Sequence, residues 1–130
     1  MLTEVGVEEW PFIAATIGAD FGSKLDGIRA DLEVHHMQAW RLNKNSGAAG
    51  YVITKTATIK GTDTRALWIA YAAGTCFRGR AAMRDVAEFM ATVAEGWGLK
   101  RMRIEGRVSA WGRVLPGFVE VEPGVLERVL

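Results

Sequence analysis

Cysteine is nearly missing from this chain: Cys76 stands alone among 130 residues. A disulfide framework and a zinc site built on cysteines are therefore excluded, and a reducing compartment suits the chain. Proline is also sparse, at three residues, and there are only two histidines and two tyrosines. No apolar run approaches the roughly 20 residues that a membrane-spanning helix needs. The start, Met1-Leu2-Thr3-Glu4-Val5-Gly6, is acidic and has neither the basic end nor the apolar stretch of a signal peptide. A cytoplasmic location is the expectation, with no membrane partner. Net charge is only +1, which removes the main electrostatic argument for a nucleic-acid partner. Disorder is excluded in turn by a hydrophobic content of 49%. The length fits one domain spanning residues 1–130.

What is present in excess is tryptophan and arginine. Trp10, Trp40, Trp68, Trp97 and Trp111 are spread along the chain, and most read as core anchors with a polar end to satisfy. Eleven of the 16 basic residues are Arg, the side chain suited to two-pronged contact with phosphate or carboxylate. Their distribution is uneven. Residues 1–36 carry seven acids against two bases, whereas residues 37–113 have a net charge of +8. An anion site near Arg78, Arg80 and Arg84 is the functional reading of that basic stretch; a solvated surface of mixed ion pairs is the plain one.

Hydrophobic spacing divides the chain. Residues 8–20 predict a helix, with Pro11 in its first turn. Ser23 is placed to cap a second helix carrying Leu25, Ile28 and Leu32 on one face. Strands are predicted at Met37–Leu42 and at Tyr51–Ile59, where β-branched residues dominate. Leu67–Ala73 is a near-continuous apolar run, as in a strand covered on both faces. From Arg80 to Trp97 the apolar positions Met83, Val86, Met90, Val93 and Trp97 step by three and four, and Gly98 is placed to end that helix in a left-handed cap. Lys100–Glu105 alternates with Met102 and Ile104 inward. Strand–helix–strand units of this kind pair their strands in parallel. A short helix around Ser109–Val114 is expected next. Then comes a hairpin turning at Pro123-Gly124, with Val119 and Val121 facing Val125 and Val129. The order is α-α-β-β-β-α-β-α-β-β, an α/β fold with a mixed sheet.

Three stretches in this order resemble the GCN5-related N-acetyltransferase (GNAT) superfamily. They are Leu67–Gly74 running into Arg78-Gly79-Arg80-Ala81-Ala82-Met83, then Gly96-Trp97-Gly98 through Arg107, and Trp111-Gly112-Arg113-Val114-Leu115-Pro116-Gly117-Phe118. The likeness is greatest to the short, divergent GNAT-like proteins of tailed phages. It implies acetyl-coenzyme A as cofactor and an amine as acceptor. In the family a loop of pattern Arg/Gln-x-x-Gly-x-Gly/Ala opens the long helix and holds the coenzyme's pyrophosphate, using the free amides of a helix N-terminus. Carried over, that role falls on Arg78, Gly79, Arg80, Ala81 and Ala82. Two registers are open. With Arg78 first, Ala81 and Met83 take the small-residue places, and Met83 stands to fill the cradle. Starting at Cys76 restores Gly79 and Ala81 there but loses the leading Arg.

The family's tyrosine acid would fall near Arg113, and the chain's tyrosines, Tyr51 and Tyr71, lie elsewhere, on predicted strands. Glu105 is the candidate general base, its plain alternative being a surface carboxylate paired with an Arg. His35-His36 reads as a polar helix-to-strand junction rather than a metal site, because neighbours on a strand point to opposite faces. No P-loop, nucleophile elbow or dinucleotide fingerprint occurs. Two functions from different classes follow: an acetyl-coenzyme A-dependent N-acetyltransferase, or a catalytically inactive, phage-encoded protein of the same fold with a binding or virion role. Self-association through an exposed edge strand is a further expectation.

Overall fold

A computed structural model of the chain describes residues 2–43, 49–77, 80–105 and 115–130, with the backbone alone at 49, 76 and 80. Among the described residues seven strands form one mixed sheet: β1 (Leu2–Val5), β2 (Met37–Asn43), β3 (Ala49–Thr58), β4 (Arg65–Gly74), β5 (Arg101–Glu105), β6 (Val119–Glu122) and β7 (Val125–Val129). Their spatial order is β1-β2-β3-β4-β5-β7-β6. All neighbours are antiparallel except the central pair, β4 and β5. The connection between those two carries helix α3 (Arg80–Gly96), as a parallel pair requires. Helices α1 (Trp10–Phe21) and α2 (Leu25–Glu33) fill the connection from β1 to β2. The sheet thus separates two cores. On one face α3 presents Met83, Val86 and Met90 to Val52, Leu67, Ile69, Met102 and Ile104. On the other, Ile13 and Ile17 of α1 and Ile28 and Leu32 of α2 pack on Ala39, Tyr51, Ile53 and Ala73.

The mixed sheet and its helices agree with the sequence reading, and three local details differ. A strand, β1, precedes the first helix and, among the described residues, pairs only with β2. Ser23 caps nothing: it lies inside a 3-10 turn, Gly22–Lys24, and Lys24 holds the N-cap place of α2 without a side-chain hydrogen bond. In the final hairpin, Val119 pairs with Glu127 rather than with a valine, and the ladder slips beside Val121. Both Val119 and Val121 are exposed on the edge strand. The helix expected around Ser109–Val114 lies outside the described residues.

Two helix ends show how the chain is turned. Beyond α3, Gly98 at φ +76° donates its N–H to Glu95 O, and Leu99 donates to Ala94 O. This pair of bonds satisfies carbonyls left over by the helix. Beyond α2 the same pattern recurs, with His35 N–H to Leu32 O and His36 N–H to Asp31 O. His35 takes the left-handed position, at φ +62°, where a glycine would be unstrained. The histidine pair is therefore the hinge from α2 into β2, and its imidazoles are exposed. Among the described residues no three His, Cys, Asp or Glu gather into a metal-binding group, and no helix is long and apolar enough to cross a membrane.

Candidate active site

Strands β4 and β5 run together for three residue pairs only, Leu67↔Met102, Trp68↔Arg103 and Ile69↔Ile104. Beyond Ile69, β4 continues through Gly74 with β3 on one side and, among the described residues, no strand on the other. The sheet is forked there. The cause lies within β4. Ile53 pairs with Tyr71 and the next residue, Thr54, pairs with Ile69, so Ala70 is an extra residue without an opposite number. Such a bulge bends a strand and re-aims the side chains that follow. Past it, backbone groups of β4 that point toward β5 have no ladder partner among the described residues, and helix α3 starts a few residues further on.

The far end of the fork is the N-terminus of α3. The amides of Arg80, Ala81, Ala82 and Met83 open the helix and have no acceptor within it. Ala81 is exposed and Ala82 buried, at 3%. The side chain of Met83 is 1% exposed and packed in the α3 core, so it does not fill an anion cradle. Arg78 and Gly79, and the side chain of Arg80, lie outside the described residues.

On the α1–α2 face of the fork, strand pairing gathers a compact group. Lys55 of β3, Trp68 of β4 and Arg103 of β5 form one cross-strand row, since Lys55 pairs with Trp68 and Trp68 with Arg103. Both cations lie over the Trp68 ring, Lys55 Nζ at 5.6 Å and Arg103 Cζ at 5.3 Å from its centroid. Next toward the fork come Tyr71 and Glu105. Lys55 Nζ reaches past Trp68 to Glu105 Oε1, 3.3 Å away, and the two side chains are 33% and 37% exposed. Glu105 is thus paired, but with a lysine two strands away rather than with an arginine. Burial holds the Tyr71 phenol above its ordinary pKa, and the carboxylates of Glu105 and Asp31 add to the effect. Its ring packs edge-on against Phe21 at 4.8 Å between centroids. Tyr71 therefore stays a neutral hydrogen-bond donor at neutral pH. The indole Nε1 of Trp68 is buried and has no partner among the described residues.

The arginines of β5 are committed. Arg101 Nη1 donates to Glu127 Oε1 at 2.7 Å, and Arg103 Nε and Nη2 each lie 2.8 Å from Oε2. One carboxylate of β7 therefore pairs with both guanidiniums. Sequence reasoning missed Lys55, Trp68, Tyr71 and Glu127 as members of this group. The signal was the strand alternation, but only the register makes them neighbours. At the other end of α1, Glu9 accepts from Arg41 and from the Tyr51 hydroxyl at 3.2 Å, which ties the helix start to β2 and β3. Of the tryptophans, Trp40 is core, donating Nε1–H to Thr54 Oγ1 at 2.9 Å, whereas Trp97 is 46% exposed.

No protein-family model and no curated protein matches this sequence. Solved structures do match. A GNAT-family N-acetyltransferase from Escherichia coli, solved with coenzyme A, superposes with a TM-score of 0.77 over 99% of this chain and 80% of its own, at 16% identity. The AtaTR structure bound with acetyl-coenzyme A gives 0.71 over 99% and 92%, at 12% identity. A ribosomal-protein-alanine N-acetyltransferase from Brucella melitensis biovar Abortus 2308 gives 0.65 over 87% and 86%, at 17% identity. The seven-stranded mixed sheet, forked between its two parallel strands, thus has the fold of the GNAT N-acetyltransferases.

Proposed function

We propose that this protein is an acetyl-coenzyme A-dependent N-acetyltransferase that works as a single domain over residues 1–130. The observation that carries the reading is the fork. The edge of β4 from Ala70 to Gly74 offers amide and carbonyl groups with no ladder partner among the described residues to an amide-bearing chain, and the opening amides of α3 stand at its end to receive a diphosphate. Arg78, Gly79, Arg80, Ala81 and Ala82 are the residues assigned to that diphosphate, by their match to the family loop. Acetyl-coenzyme A would supply an acyl group activated as a thioester. The chain's own part is to hold the donor in the fork, to orient an amine on the α1–α2 face, and to take the amine's proton at the Glu105 carboxylate. Titrating acetyl-coenzyme A against the melting temperature tests this, since a ligand bound only by the folded state must raise apparent stability. No shift at millimolar ligand would sink the proposal. Arg78→Ala and Arg80→Ala should weaken a binding that is seen, and unchanged affinity would refute the assigned diphosphate site.

One observation supports a second reading, a phage-encoded GNAT-fold protein without catalysis and with a virion or binding role. Glu105 is already occupied by Lys55, and Tyr51 and Tyr71 belong to the packing of the α1–α2 face. Copurification with phage particles in the absence of any response to acetyl-coenzyme A would favour this alternative. Self-association through the exposed β6 edge is a proposal common to both readings, and native mass tests it.

A further inference from the structure

The Lys55–Glu105 pair has the composition of a reacting pair. An amine stands 3.3 Å from the candidate general base, on the acceptor face, where β4 and β5 part. The other described lysines, Lys24, Lys60 and Lys100, are exposed and lie on different elements, away from the fork. Lys55 differs from them in three ways. It is two-thirds buried, its ammonium rests over the Trp68 ring, and its side chain is directed along the sheet toward Glu105. Holding a nucleophile next to its base in this manner is what raises effective concentration in a transfer reaction.

We propose that Lys55 is an acetylation site served by the protein's own fork: a donor thioester bound there transfers its acetyl group to Lys55 Nζ, with Glu105 as the base. The inference rests on the donor reading given above. Glu105 takes one proton from the Lys55 ammonium. The freed nitrogen lone pair forms the new N–C bond to the thioester carbonyl, and the C–S bond breaks. The departing sulfur leaves as the thiol with the second nitrogen proton, and Glu105 returns its proton to water. The product is a neutral amide. It can neither pair with Glu105 nor act as a cation over Trp68, so the modification frees the carboxylate for an external amine.

Incubating the full chain with acetyl-coenzyme A, followed by peptide mapping, tests the idea. Lys55 should gain an acetyl group at least about tenfold faster than Lys24, Lys60 and Lys100, which report uncatalysed acetylation. Glu105→Gln should slow Lys55 by about 100-fold, the low end of general-base catalysis, and leave the other lysines unchanged. Circular dichroism and melting temperature establish that this variant is folded, and Lys55→Arg should abolish the fast site. If the ligand raises the melting temperature but Lys55 is labelled no faster than its controls, or Glu105→Gln has no effect on it, the inference is overturned and the donor site stands. Failure of acetyl-coenzyme A to stabilise the protein at all overturns both.

Discussion

Glu127→Gln puts the support beneath the fork to a quantitative test. The Glu127 carboxylate is 10% exposed and binds two guanidiniums of unequal burial, Arg101 at 38% and Arg103 at 11% exposure. The Arg101 contact is screened by solvent and contributes below about 1 kcal/mol. Arg103 is different. Without its partner it becomes an unpaired charge in a largely dry site, which costs about 3 kcal/mol, the lower end for breaking a buried pair. A total near 3–4 kcal/mol is a large share of the roughly 5–15 kcal/mol that a domain usually has. With a urea m-value of about 2 kcal/mol/M, the unfolding midpoint should fall by about 1.5–2 M. The double substitution of Arg103→Met with Glu127→Met removes both buried charges and should recover most of the loss, because the one cation it leaves behind, Arg101, is solvated. A loss below about 1 kcal/mol for Glu127→Gln would refute the argument, as would a double variant no better than the single one.

Further outcomes follow from other parts of the fold. His35→Gly should stabilise by about 1 kcal/mol, since it relieves a left-handed histidine at the end of α2, and a lower thermal midpoint would contradict the cap geometry. Met90→Ala, at a side chain with no exposure in the α3 core, should destabilise by about 2–5 kcal/mol in chemical denaturation. Tyr71 has a folded pKa raised above its unfolded value, so its contribution is complete below about pH 10 and is lost as pH rises through the folded value. Tyr71→Phe should therefore flatten the alkaline fall in melting temperature, and a fall unaltered by the substitution would count against the burial of that phenol.

How much of this could be read from sequence depended on the range of the interaction. The α3 helix was legible because Met83, Val86 and Met90 repeat with the period of the helix itself, and Gly98 marks its end. The apolar run of β4 was legible for the same local reason. Strand β1 was not: four residues, Leu2–Val5, become a strand only by pairing with β2, some 35 residues away. Ser23 looked like a cap, yet a 3-10 turn takes its place, because the packing of α1 against α2 fixes how the chain enters. Glu105 stood out by its position on a strand, whereas its partner could not be named. Lys55 meets it only through the register of β3 on β4 and of β4 on β5. The double role of Glu127 likewise depends on the pairing of β5 with β7.

The bulge at Ala70 can be viewed as a change of phase. Up to Trp68 the even-numbered residues of β4 point to the α1–α2 face, and from Tyr71 onward the odd-numbered ones do. The same residues in a strand without the bulge would keep one alternation throughout. The tyrosine would then turn toward α3, among the methionines of the opposite core, and its place on the acceptor face would pass to an alanine. One alanine, with no chemistry of its own, thus decides which side of the sheet carries the polar group at the fork.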